Sequence, residues 1–271
     1  MYFAMDEIGF ENTERIKLIP LEADRWRFIY DVAKAYGYEG IHLTPSLYNK
    51  NFELDLKNIP AYFQDFKLTL HFGGLHNITA YEAFDEALSK HFDIALRNNM
   101  HDFSLHPPGS GTSEEKDVYR SLLSRAINKW LPIAIKNGIS LSLETHVTGE
   151  YFLFNGLGEF VAFTDQYPDL GILIDVSHNY YNPQYSEEDM INILSGRNVK
   201  CLHISDALRS ADFESGTHLA IGDGEIDFLK LLDGFKNVPD LYSVLEIKSK
   251  NYGIEKSLRK LKEITKHTKG K

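Results

Sequence analysis

The stretch Leu170-Gly-Ile-Leu-Ile-Asp-Val-Ser-His178 carries an apolar run into an acid and, three residues later, a histidine. Gly171 to Ile174 is short and apolar, bounded by a Pro/Asp turn before it and polar residues after it. It reads as a strand buried on both faces, the habit of a parallel sheet covered by helices. A carboxylate at the last position of such a strand stands at the rim of a core, where an unpaired charge is expensive. Asp175 therefore requires a partner.

The same pattern recurs in Lys67-Leu-Thr-Leu-His71, Asp102-Phe-Ser-Leu-His106, Ser140-Leu-Ser-Leu-Glu144, Val199-Lys-Cys-Leu-His203 and Leu241-Tyr-Ser-Val-Leu-Glu-Ile247. A lone strand-end histidine is ordinarily a hydrogen-bonded structural residue. Six strands ending only in His, Asp or Glu are hard to explain by packing, and parallel strands would bring all six endings to one face. Helical segments are expected between them: Leu21 to Tyr36, with Trp26, Ile29, Val32 and Ala33 at helical spacing, Ala80 to Asn98, Ser113 to Asn137 ended by Gly138, Phe160 to Tyr167, Glu187 to Ser195, Ile226 to Phe235 and Gly253 to Thr265. With further strands at Tyr2 to Met5 and Ile41 to Leu43, the alternation specifies an α/β fold. The expected architecture is one (β/α)8 TIM barrel over residues 1–271, with its chemistry at the C-terminal ends of the strands. No G-x-G-x-x-G follows the first strand and no P-loop is present, which removes the best evidence for a Rossmann alternative.

The composition, 43% hydrophobic and 25% charged, is that of an ordinary globular protein. No run approaches the roughly 18 apolar residues of a membrane span, and no basic segment precedes an apolar one at the N-terminus. The expectation is a cytoplasmic protein without a membrane partner. The one cysteine, Cys201, lies inside a strand and reads as a buried, inert thiol. A net charge of −10 opposes broad electrostatic binding to nucleic acid, although bound cations reverse such a sign locally.

His71, His106, Glu144, Asp175, His203 and Glu246 would ring one mouth of the barrel. Carboxylates bunched that closely do not all ionise unless cations hold them, and imidazole with carboxylate is a ligand mixture favoured by zinc and manganese. If the strands close into that barrel, a divalent metal site is the expected consequence of these endings.

The chain also resembles the xylose isomerase-like TIM-barrel superfamily, which includes sugar isomerases and epimerases, inosose-type dehydratases and the endonuclease IV family of abasic-site nucleases. The resemblance runs from Gly37-Tyr-Glu-Gly-Ile-His-Leu43 to Glu246. It is carried by Leu105-His-Pro-Pro-Gly109, Leu143-Glu-Thr145, Ile174-Asp-Val-Ser-His178, His203-Ile-Ser-Asp206 and His218-Leu-Ala-Ile-Gly-Asp-Gly-Glu-Ile-Asp227. The resemblance implies that Glu144, Asp175, His203 and Glu246 are the shared four-ligand metal site. His71 and His106, with Glu144 bridging, match a second metal of the nuclease branch, and His178 and His218 match its third. The aspartate that branch places two residues before His218 is here Gly216, leaving Asp212 or Glu214 as substitutes.

Two mechanisms follow from the resemblance, with one to three Zn²⁺ or Mn²⁺ ions as cofactor. In the isomerase or epimerase reading, the substrate is a small carbohydrate-like molecule. Glu144 and Glu246 exchange its proton, and His178 and Arg209 steady the enediolate oxygen. Phe72 and Tyr151 would add aromatic surface near the mouth. In the alternative, an endonuclease IV-like zinc phosphodiesterase, metal-bridged hydroxide attacks phosphorus in nucleic acid. The segment Thr44-Pro-Ser-Leu-Tyr-Asn-Lys-Asn51 has one Lys and no Arg, a poor DNA probe, and Phe72-Gly-Gly-Leu-His-Asn77 lacks the nucleases' tyrosine.

The remaining polar residues have plainer readings. His42, on a strand where the superfamily often carries an acid, is expected as a hydrogen-bonded core histidine, with a role behind the ligands as the alternative. His76 and His146 line the mouth or lie in solvated loops, and His91, His101 and His267 are expected at the surface. Asp206 could ligate a metal, although an acid three residues after His203 more often orients a histidine or caps a loop. Gly222-Asp-Gly224 is a tight turn, Asp227 caps the following helix and Glu225 is solvated. The basic tail from Lys256 is a solvated helix face over Leu258, Leu261 and Ile264.

Overall fold

A computed structural model describes residues 2–6, 19–44, 56–73, 78–108, 112–147, 152–182, 184–247 and 253–269. Among the described residues eight parallel strands close a barrel in chain order: β1 (Tyr2–Asp6), β2 (Gly40–Leu43), β3 (Lys67–Phe72), β4 (Asp102–Leu105), β5 (Ser140–Glu144), β6 (Gly171–Asp175), β7 (Val199–Ile204) and β8 (Tyr242–Leu245). β8 pairs with β1, Tyr242 beside Tyr2, so no sheet edge is left open. The helices are α1 (Glu22–Tyr36), α2 (Tyr81–Arg97), α3 (Ser113–Lys136), α4 (Leu157–Thr164), α5 (Val176–Tyr181), α6 (Glu187–Leu194), α7 (Phe213–Gly216), α8 (Phe228–Gly234) and α9 (Gly253–Lys269). Short 3₁₀ turns at Leu56–Asn58 and Ala61–Asp65 precede β3. No described helix is long and apolar enough to cross a membrane.

The expected alternation is observed, with three departures. α4 begins three residues before Phe160, after Gly156, whose φ of 96° turns the chain into it. Two short helices, α5 and α7, are additional, each started by an aspartate whose side chain accepts an N–H three residues on: Asp175 from His178 and Asp212 from Ser215. α1 stops at Gly37, where φ is 65°, and α3 starts in a capping box between Thr112 and Glu115.

Period-two alternation sorts each strand into two sets. Leu68, Leu70, Phe72, Phe103, Leu105, Leu141, Leu143, Ile172, Ile174, Leu202 and Ile204 join the helices in one buried core. Each such side chain contributes on the order of 1.5–3 kcal/mol of burial. The other set fills the barrel: Ala4, Leu173, Cys201, Tyr242 and Val244 form an apolar plug. Cys201 is fully buried, and its thiol is pushed well up by burial, as an inert core residue should be. Leu258 and Leu261 of α9 are buried and Glu255, Lys256, Arg259 and Lys260 exposed, the expected two-faced tail helix.

One carboxylate sits at the opposite end of the barrel from the strand C-termini. Asp102 is buried and accepts hydrogen bonds from Ser142 Oγ at 2.8 Å and Tyr242 Oη at 3.0 Å. Gly171 makes room there, since a β-carbon would lie 2.3 Å from Ser142 Oγ. Burial pushes Asp102 up to about 6, and these hydrogen bonds only partly oppose it. The folded chain therefore holds this proton more tightly than the unfolded chain. The stability Asp102 contributes is greatest below pH 4 and declines as pH rises to about 6. Asp102→Asn removes that decline, so the variant's melting temperature should rise relative to the parent between pH 4 and 7, by the equivalent of ~2 kcal/mol. Melting profiles that stay parallel across that range would contradict this.

Candidate metal centre

Strand alternation places one inward side chain at the C-terminal end of each of six strands. Glu144 and Asp175 end β5 and β6, His71 and His203 stand one residue before the ends of β3 and β7, and His106 and Glu246 one residue beyond β4 and β8. The apolar plug lies beneath them, so water reaches this layer only from the mouth. Glu144, Asp175 and His203 are buried and Glu246 is partly buried.

One ligand atom each from Glu144, Asp175, His203 and Glu246 lies within 4.8 Å of every other. His203 Nδ1 is 3.1 Å from Glu144 Oε1 and 3.1 Å from Glu246 Oε2. Asp175 is anchored through Oδ1, which accepts from His178 N at 2.8 Å and Ser177 Oγ at 3.1 Å. Glu144 Oε2, Asp175 Oδ2, His203 Nδ1 and Glu246 Oε2 are all buried and face only one another and the neighbouring imidazoles, with His71 Nε2 3.3 Å from Glu144 Oε2 and His178 Nδ1 3.1 Å from Asp175 Oδ2. Four buried ligand atoms turned toward other ligand atoms, one from each residue of the cluster, are what a divalent cation would bind. The residues fit such an ion.

The electrostatics agree. Burial pushes Glu144 up to about 7, and burial together with Glu246 raises Asp175. Burial also opposes charge on His203 and Glu246, yet His203 is held well above the usual imidazole range by Glu246 and Glu144. Glu246 is held well below the usual carboxylate range by His218 and His203. Without a cation, protons have to take its place.

Further imidazoles surround this centre. Ser104 Oγ donates to the Leu70 carbonyl, so His71 Nδ1, 3.0 Å away, is the donor to Ser104 and His71 keeps its lone pair on Nε2. That lone pair faces Glu144 Oε2 at 3.3 Å. Asp175, His178 and His218 form a second group. His218 has φ 55°, outside the usual range for a non-glycine residue, and its Nδ1 lies 3.2 Å from the Glu246 carbonyl and its Nε2 2.9 Å from His178 Nε2. His42, with His71 and His203, makes a third. His42 is both a hydrogen-bonded core residue, on Thr69, and a neighbour of the site. His146 lines the mouth, its ring 4.4 Å from that of His106 and 4.3 Å from that of Phe152.

Other expected residues lie elsewhere. His106 belongs to none of these groups among the described residues, and its Nδ1 bonds the Pro107 carbonyl at 2.8 Å. Arg209, expected on the substrate oxygen, donates instead to the Tyr180 and Tyr185 carbonyls and stacks over the Tyr180 ring, clamping the chain after α5. Neither Asp212 nor Glu214 replaces the aspartate missing at Gly216: Asp212 caps α7 and both are exposed. Phe72 faces away from the mouth and stacks on His91 at 3.7 Å, which makes His91 a buried residue of α2 and not a surface one. Asp206 caps the turn that returns through Gly222, accepting from Ala207, Gly222 and Ile226 N–H groups. Asp227 caps α8, while Glu225 and His101 are exposed. His76, Tyr151, Gly109, residues 45–51 and the His267 side chain lie outside the described residues.

The fold has close structural counterparts. A D-tagatose 3-epimerase-like protein superposes with a TM-score of 0.76 at 17% identity, covering 100% of this chain and 99% of the other. The IolI protein, solved with a bound zinc atom, superposes with a TM-score of 0.70 at 16% identity over 99% and 98%. D-allulose 3-epimerase from Methylomonas sp., solved with D-allulose, gives 0.66 at 14% identity over 97% and 96%. Comparison with curated protein sequences returns no significant match. The family model described as xylose isomerase-like TIM barrel matches residues 30–264, and the chain belongs to that family.

Proposed function

We propose that the protein is a divalent-metal-dependent sugar isomerase or epimerase that moves a proton on a carbon next to a carbonyl group. The observation that carries this reading is the pair of glutamates, Glu144 and Glu246, each 3.1 Å from His203 Nδ1 at one small buried centre. Proton transfer at such a carbon is served by a base and an acid placed on either side of it, and a bound cation would stabilise the oxygen on which charge develops. The likeness to a D-allulose 3-epimerase and to a zinc-bound protein of the same fold supports it.

Glu144, Asp175, His203 and Glu246 would hold the metal, each offering one ligand atom. A bound Zn²⁺ or Mn²⁺ supplies Lewis acidity to a carbonyl and neighbouring hydroxyl, which acidifies the adjacent C–H. Glu246 is the glutamate a substrate reaches, with its side chain 26% exposed against 3% for Glu144. Glu246 would take the carbon proton and Glu144 would return one, to the opposite face of the same carbon in an epimerase, or to the neighbouring carbon in an isomerase with the hydroxyl proton passing between the two oxygens. His178, at the lip beside Asp175, steadies the oxygen on which charge develops. The apolar plug and the buried walls keep water from the exposed carbanion character.

A second reading, an endonuclease IV-like phosphodiesterase, is favoured by the extra imidazoles of His71, His178 and His218 around the same centre. It requires His106 as a ligand, and among the described residues His106 joins none of the candidate metal groups, although the Pro107 carbonyl engages only its Nδ1.

Zinc or manganese at about 100 times its dissociation constant should raise stability by about 3 kcal/mol, read as an increase in melting temperature. His203→Ala should abolish that increase, and an equal increase in the variant would place the metal elsewhere. In deuterated buffer, the metal-loaded protein should wash deuterium into one or more of a panel of ketoses and aldoses, followed by NMR. Glu246→Gln should lower that rate by roughly 10²–10⁴ with the fold retained. Undiminished turnover in Glu246→Gln would defeat the assignment. A duplex carrying one abasic-site analogue should remain intact, and His106→Ala should keep most of the sugar activity. Metal-dependent incision lost in His106→Ala would establish the phosphodiesterase instead.

A further inference from the structure

β2 contributes an imidazole to the layer where the later strands contribute metal-binding groups. His42 is 1% exposed, with Nδ1 2.7 Å from Thr69 Oγ1 and Nε2 3.2 Å from His203 Nε2. Its ring lies edge-on to His203, with centroids 5.1 Å apart at 83°, and stacked against His71 at 5.6 Å and 26°. Rings on two sides and a hydrogen bond at each nitrogen leave it one orientation.

The line Thr69–His42–His203 can carry its hydrogens in only two directions, because each neutral imidazole has one N–H and one lone pair. If Thr69 donates to His42 Nδ1, then His42 Nε2–H points at His203 Nε2. The His203 proton is then on Nδ1, facing Glu144 and Glu246, and no lone pair is left there for a cation. If the line runs the other way, His203 Nε2–H donates to His42 Nε2, His42 Nδ1–H donates to Thr69 Oγ1, and His203 Nδ1 presents its lone pair to the carboxylates. Only the second leaves the Nδ1 lone pair that a metal needs, and a His203 carrying protons on both nitrogens likewise donates its Nε2–H to His42.

We propose that His42 is a positioning residue that holds His203 in the Nδ1-binding tautomer, accepting its Nε2–H and handing its own proton to Thr69. The inference rests on the metal reading above and adds to it a residue that touches neither metal nor substrate. A partner on the far nitrogen of a ligating histidine is a general device for aiming the ring and setting its tautomer. A neutral imidazole performs it without adding a fourth negative charge beside Glu144, Asp175 and Glu246.

The test uses zinc alone, titrated into the full chain against a chelator of known affinity, with circular dichroism confirming the fold of each variant. His42→Leu, which removes the acceptor, should lower zinc affinity 10–100-fold. His42→Gln, which can offer an amide oxygen to His203 Nε2–H, should recover most of it, a rescue that a purely space-filling role would not predict. In the unaltered zinc-loaded protein, ¹H–¹⁵N correlation of the imidazoles should place the His203 proton on Nε2 and the His42 proton on Nδ1. This second measurement decides the matter even if His42→Leu fails to fold. Affinity in His42→Leu equal to the parent's, or a zinc-loaded His42 protonated at Nε2, would overturn the proposal and leave the metal reading intact. A parent chain that takes up no zinc, or the same amount as His203→Ala, would overturn both.

Discussion

Three carboxylates and one imidazole meet at the mouth of a closed barrel, and the rest of the site depends on how their charge is satisfied. Burial, with the neighbouring carboxylates adding to it, raises Glu144 and Asp175, whereas the neighbouring histidines hold Glu246 down and the two glutamates hold His203 up. These opposing shifts are the response of a cluster that is short of positive charge. The four ligand atoms converge on the same small volume. A divalent ion there would offset the repulsion among the carboxylates and the loss of their hydration together.

The barrel supplies this arrangement through a simple rule. Each strand gives every second residue to the interior, so the last inward position of each strand falls in one layer at the mouth. Small polar side chains orient the layer: Ser104 turns His71, Thr69 turns His42, and Thr145 Oγ1, just beyond Glu144, receives the Asp175 N–H. One inward step before Asp175, His203 and Glu246, Leu173, Cys201 and Val244 belong to the apolar plug. Asp175 adds a local device, because the carboxylate that faces the centre through Oδ2 also caps α5 through Oδ1. The helix therefore aims the ligand and carries His178 to the lip.

Much of this was legible in the chain, for reasons that particular residues make clear. The six strand endings could be read because burial on both faces leaves few explanations for a terminal acid or histidine, and the parallel order then brings them to one mouth. Period-two alternation, applied one residue further, also separates Phe72 from His71 and sends Phe72 outward. His91 was legible as well, since it falls on the buried stripe of α2 with Phe84, Leu88, Phe92 and Ala95. α5 was hidden inside the motif itself, its start marked only by Asp175 three residues before His178. Arg209 shows the limit of spacing, which places a residue on a loop without telling where its guanidinium points. His42 was open between two roles because its partner, His203, is 161 residues away and is reached only once the barrel closes.

Anomalous diffraction from crystals grown with zinc or manganese tests the central claim most directly. The account predicts one strong peak at coordination distance, roughly 2.0–2.3 Å, from Glu144, Asp175, His203 Nδ1 and Glu246. A peak held only by His178 and His218, or no peak between the four residues in a crystal soaked to saturation, would contradict it.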